Sequence, residues 1–115
     1  MSDTLASTDP DGVENVRVET TVVEGVARIT LHGEVDFSML DQLDAALGDA
    51  PSEGVWLVQV DLAQLVFADT AAVRRLAAFT DAARQTGHQV ETIGASRTLC
   101  RVAAVLGVQD DLGLT

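Results

Sequence analysis

Residues Val55–Leu76 read V-W-L-V-Q-V-D-L-A-Q-L-V-F-A-D-T-A-A-V-R-R-L, and they constrain the fold more than any other stretch of the chain. The opening is an apolar run rich in β-branched residues, the pattern of a strand covered on both faces. A second apolar patch, Leu65-Val66-Phe67, ends abruptly at Asp69-Thr70. Beyond it Ala71, Ala72, Val73, Leu76 and Ala77 recur at helical spacing. A hydroxyl with a carboxylate beside it therefore stands at the mouth of a helix, just past buried strand. That is a good place for a phosphate, and no residue nearby is equipped for chemistry of its own.

The elements before and after this stretch follow the same logic. Val16, Val18, Thr20 and Val22 alternate with Arg17, Glu19 and Thr21, which predicts a strand with one buried face. Glu24-Gly25 is a turn, and Val26–Leu31 returns as a second strand, giving a β-hairpin. His32–Phe37 reads as a loop into a helix. Ser38, with Asp41 three residues on, resembles a capping box. Met39, Leu40, Leu43, Ala46 and Leu47 share one helical face, closed by Gly48–Pro51. Val55–Asp61 is the buried strand, Thr70 to about Thr86 the second long helix, and His88–Ile93 another strand. Ser96 caps a third helix whose Leu99, Val102, Ala103 and Leu106 face inward, stopped by Gly107. The last residues, Val108–Thr115, are expected to hold a short extended piece.

The order is ββαβαβα, an α/β domain. Strand–helix–strand units form right-handed parallel crossovers almost without exception, so the sheet is expected to be mixed, and mostly parallel beyond the N-terminal hairpin. At 115 residues the chain suits one folded domain, placed at 15–115, after a flexible tail of residues 1–14 rich in Ser, Thr, Asp, Pro and Gly.

Composition narrows the function. No apolar stretch approaches the roughly 18 residues needed to cross a bilayer, and the first residues lack a secretory signal. The lone Cys100 excludes an internal disulfide and suits a reducing compartment, so a cytoplasmic location is expected, without direct membrane insertion. The net charge is -11 and lysine is absent, which argues against nucleic-acid binding through phosphates. Residues 1–53 hold twelve acids and two arginines, whereas residues 54–115 hold six acids and five arginines. One side of the molecule therefore carries a strong negative field, although acidity also serves solubility alone. There is no lysine-dependent phosphate loop, no C-x-x-C pair and no G-x-S-x-G elbow. His32 and His88 lie on different elements without evident metal partners. An enzyme, a metal site and a cofactor are not expected.

Several short motifs, in order, resemble a known family. They are Gly33-Glu34-Val35-Asp36-Phe37; a helix with Leu43 and Ala45-Ala46-Leu47; Val60-Asp61-Leu62; Phe67-Ala68-Asp69-Thr70; and Gly94-Ala95-Ser96 before a helix ending Leu106-Gly107-Val108. Together, from Val16 to Val108, they look like a STAS domain, the fold of bacterial anti-sigma factor antagonists. The resemblance implies that Thr70 is phosphorylated by a partner kinase that doubles as an anti-sigma factor, and that a phosphatase resets the switch. It also implies a partner-binding surface made by Glu34, Asp36, Phe37, Asp69, Ala71, Ala72, Arg74 and Arg75. The family commonly reads Asp-Ser-Ser-Gly-Leu-Gly where this chain has Asp69-Thr70-Ala71-Ala72-Val73-Arg74, so two glycines are replaced.

Plainer readings stand beside these. Asp69 and Thr70 suit a helix cap, as do Asp36 and Ser38. Arg74 and Arg75 are expected to face solvent, Asp61 to form a turn, Phe37 and Phe67 to lie in the core, and Cys100 to be a small helix residue. A second functional reading is a scaffold subunit of a larger assembly, such as a lipid transporter, that needs no phosphate.

Overall fold

The computed structural model describes residues 17–48 and 53–114. The expected tail, Val16 of the first strand and residues 49–51 of the first helix's closure lie outside them. Strand β1 (Arg17–Val23) and strand β2 (Val26–Val35) form the expected antiparallel hairpin, joined at Glu24-Gly25. Both turn residues have positive φ, 51° and 82°, which suits the right-handed twist of the strands it joins. Strands β3 (Leu57–Asp61) and β5 (Gln89–Ile93) extend the sheet in parallel, in the order β1-β2-β3-β5. Helices α1 (Leu40–Gly48), α2 (Thr70–Gln85) and α3 (Arg97–Leu106) fall where the periodicity predicts, with the Ser96 hydroxyl accepting from the Leu99 N–H and Gly107 ending α3 at φ 73°.

Ala27, Ile29 and Leu31 of β2 and Val58 and Val60 of β3 meet Leu43, Val73, Leu76 and Ala103 of the helices in one core. These strand residues share one parity, so the helices cover a single face of the sheet. The strand order explains this. From β2 to β3 to β5 the chain always advances in the same direction, and right-handed crossovers then put α1 and α2 on the same side. The helices that follow the last strand, α3 and the C-terminal α4 (Gln109–Leu112), pack against α2 there.

The expectation that Val55–Asp61 is covered on both faces is thereby corrected. The strand starts at Leu57, and the outer face is a polar surface. Arg28 donates to Asp61 at 2.7 Å, Gln59 to Glu91 at 2.7 Å, and His32 Nε2 lies 2.9 Å from Glu19. Such cross-strand pairs replace apolar burial on a wet face.

Three further expectations change. Leu65–Ala68 is a fourth strand, β4, parallel to β2 at Glu34–Phe67 and Val35–Ala68, with a register shift at Gly33 (φ 81°). Its partnership draws His32–Val35 out of the expected loop and into β2, because the backbone groups there find ladder partners. The cap before α1 is Asp36 rather than Ser38: Asp36 Oδ1 accepts from the Ser38 N–H at 2.9 Å and from its hydroxyl at 2.5 Å, holding a 3-10 turn at Phe37–Met39.

The C-terminal piece is also a helical turn, α4 (Gln109–Leu112), not an extended segment. Tertiary hydrogen bonds impose it. The Thr80 hydroxyl and the Arg84 guanidinium donate to Asp111 C=O at 2.5 and 2.6 Å, the Thr92 hydroxyl donates to Leu112 C=O, and Leu112 is buried.

Candidate functional site

The loop Asp36–Met39 and the start of α2 are brought together at the end of the sheet where β2 and β4 finish. Asp69 does the joining. Its Oδ1 accepts from Ala72 N–H at 2.9 Å and caps α2, while its Oδ2 accepts from Phe37 N–H at 2.9 Å. Its own N–H donates to Val35 C=O at 3.1 Å. Both carboxylate oxygens and the amide are therefore spent on positioning, which is the cap role read from sequence, extended across the fold.

Thr70, the first residue of α2, is exposed beside this anchor. Asp36 is half-buried and committed to Ser38; Glu34 is exposed on β2, in register with Phe67 on β4. Arg74, one turn along α2, is exposed and makes no ion pair with any described residue. Arg75 is half-buried and paired with Asp44 of α1. Ala71 is half-buried. Ala72 is wholly buried and offers no surface to a partner, so its place in the expected partner-binding set is corrected; its N–H is what matters.

Phe37 and Phe67 were expected in the core. They are 72% and 53% exposed, and Val66 beside Phe67 is 78% exposed. Sequence reasoning missed this cluster because an apolar residue next to a strand reads as core unless one knows that nothing packs over it. The signal available was the shortness of the Leu65–Ala68 patch and its abrupt polar stop. Exposed aromatic and aliphatic side chains on the two segments that Asp69 joins are the composition of an interaction surface.

Elsewhere the sites thin out. Asp61 accepts from Ala63 N–H at 2.9 Å and from Arg28, and these bonds hold its carboxyl below the usual range. This is turn and sheet-face chemistry, as its position predicts. His32 and Arg17 similarly lower Glu19. Cys100 is an exposed helix residue. Among the described residues no three His, Cys, Asp or Glu are placed to hold a metal ion, and no helix is long and apolar enough to cross a membrane.

Fold and site together define a small one-sided α/β domain that presents a hydroxyl and an apolar rim at the start of its second helix. The family profile described as "Mlab, STAS domain" matches residues 18–114, and the chain belongs to the STAS domain family. No curated protein matches in sequence. Among solved structures, an anti-sigma factor antagonist from Mycobacterium paratuberculosis is similar at 21% identity and TM-score 0.65, over 90% of this chain and 85% of that one. The phosphorylated form of SpoIIAA, a Bacillus cell fate determinant, is similar at 21% identity and TM-score 0.62, over 83% and 86%. A sulfate transporter family protein from Wolinella succinogenes is similar at 20% identity and TM-score 0.65, over 81% and 75%. Much longer chains match too: this chain spans only 20% of Mglu and 18% of SLC26A9. These likenesses establish a common fold, shared by antagonists and by pieces of larger proteins.

Proposed function

We propose that the protein is a non-enzymatic regulatory binding module of the bacterial cytoplasm, an anti-sigma factor antagonist that captures a partner anti-sigma factor acting also as a serine/threonine kinase. Phosphorylation of Thr70 releases the partner, and a phosphatase restores capture. The observation that carries this reading is the exposure of Thr70 at the first position of α2, next to Asp69, which caps that helix and ties it to the Phe37 N–H. The two solved antagonists of similar fold support it.

A phosphate there works by charge, without rearrangement. It adds about -1.5 to -2 charges at neutral pH, next to Asp69, Asp36 and Glu34. A like charge about 6 Å away on a partner, at an effective dielectric near 20, costs on the order of 3 kcal/mol. That is about a hundredfold in affinity. Arg74 and the positive end of the α2 dipole soften the cost within the free protein, so the penalty falls on the complex. Phosphopeptide mapping after incubation with the cognate kinase tests the assignment. A mark at Thr70 supports it; a mark elsewhere, or none, overturns it.

A second reading has its own support. Ala72 and Arg74 stand where many family members carry glycine, and the sulfate transporter family protein shares the fold at a TM-score like those of the antagonists. On that reading the same surface holds a permanent partner within a larger assembly, such as a lipid transporter. Affinity purification with mass spectrometry separates the two, by recovering either a kinase-like ATPase or transporter subunits.

A further inference from the structure

We propose that the groove between β4 and α3 binds an extended acidic and apolar segment of a partner protein, added as a strand along the free edge of β4. The groove, about 90 Å³, is lined by β4 from Leu65 to Ala68 and by Ser96, Thr98, Leu99 and Val102. Val66 and Phe67 also belong to the apolar rim beside Thr70, whereas Ser96, Thr98, Leu99 and Val102 do not, so the groove adjoins that surface and its occupancy needs no phosphate.

The edge itself points to a strand. β4 pairs with β2, and among the described residues no strand takes its other side. Proteins normally guard such edges with charges, proline or a covering element. Leu65-Val66-Phe67-Ala68 carries neither charge nor proline, and Val66 and Phe67 are the exposed apolar side chains already noted. An unguarded apolar edge beside a groove is the setting in which an extended peptide completes a sheet, with backbone hydrogen bonds for affinity and side-chain pockets for selection.

The apolar surface continues along α3. Thr98, Val102 and Val105 fall on one helical stripe by their spacing, and Val105 is 81% exposed. Charge selects the occupant. Between Gly94 and Gln109 the only charged residues are Arg97 and Arg101, both exposed and in no ion pair with a described residue, on a chain whose net charge is -11. A local cationic strip on an anionic molecule recruits an acidic segment while the rest of the surface repels acidic polymers and anionic membranes.

A randomised octapeptide library displayed on phage, selected against the full 115-residue chain, tests this. Enrichment of sequences with Asp or Glu flanking apolar residues at alternating positions is expected. A selected peptide should shift the amide resonances of Leu65–Ala68 and lose about tenfold or more in affinity to the R97E/R101E variant at low salt. Both arginines are exposed, so the variant is expected to fold, as circular dichroism would verify. No enrichment, enrichment of peptides without acidic residues, resonance shifts confined to other elements, or binding indifferent to R97E/R101E would each overturn the proposal. So would R97E/R101E-sensitive sedimentation with phosphatidylglycerol vesicles in place of peptide binding.

Discussion

The backbone N–H of Phe37 donates to Asp69 Oδ2 at 2.9 Å across 32 positions of sequence, and through this bond one carboxylate holds two elements in register. The 3-10 turn before α1 and the first turn of α2 cannot drift apart while Asp69 satisfies donors in both. Thr70, the next residue, inherits that fixed position.

Asp69→Ala is expected to lower stability by about 1–3 kcal/mol, combining a lost helix cap with an unsatisfied Phe37 N–H. Asp69→Asn should fall in between, since its single side-chain oxygen can accept from Ala72 or Phe37 but not both. Urea unfolding monitored at Trp56 measures the order; equal effects of the two variants would contradict the double role.

Thr70→Glu is expected to weaken the complex with the cognate kinase by about a hundredfold at low salt, and less at high salt as the charges are screened. Thr70→Ala should bind with little change and accept no phosphate at that position. Calorimetric titration of each variant at two salt concentrations reads both outcomes.

Asp61 accepts from Ala63 N–H and Arg28 in the folded state, so its folded pKa lies below its unfolded value near 3.9. Such a group contributes stability that is present above the unfolded pKa and is lost as pH falls through the folded one. Wild-type stability should therefore drop steeply below about pH 4, and Asp61→Ala should be less stable at neutral pH by about 1–3 kcal/mol with a shallower acid limb. Urea midpoints from pH 2 to 7 test the sign.

Gly94 has φ 76°, and a Cβ there would lie 2.7 Å from the backbone nitrogen of Ala63. Backbone cannot swing aside as a flexible side chain can, so Gly94→Ala is expected to cost more than the roughly 1–2 kcal/mol of the left-handed conformation alone. Thermal unfolding of this variant beside Gly87→Ala, where φ is 94° but nothing lies within 4 Å, isolates the steric part.

Thr80 is fully buried, and its single hydroxyl proton has the carbonyls of Leu76, Ala77 and Asp111 in reach. Thr80→Val keeps the shape and removes one of the two hydrogen bonds from α2 to Asp111 C=O, leaving that of Arg84. A loss of about 1 kcal/mol is expected, with faster amide exchange confined to α4 and its cap.

Features whose cause is local are legible in the order of residues. The hairpin turn at Glu24-Gly25, the cap at Ser96, the stop at Gly107 and the apolar stripe of α2 each follow from residues within a few positions of one another. The family motifs added the order of elements and the candidate hydroxyl. Which faces stay bare depends on how distant segments pack. Val66 and Phe67 look identical in a string whether a helix lies over them or not, and Asp110-Asp111 becomes helical because Thr80 and Arg84 reach it from α2. Coverage depends on which direction successive crossovers take and on which strands pair. Those are relations between distant segments, and the surface that a partner would meet is made of them.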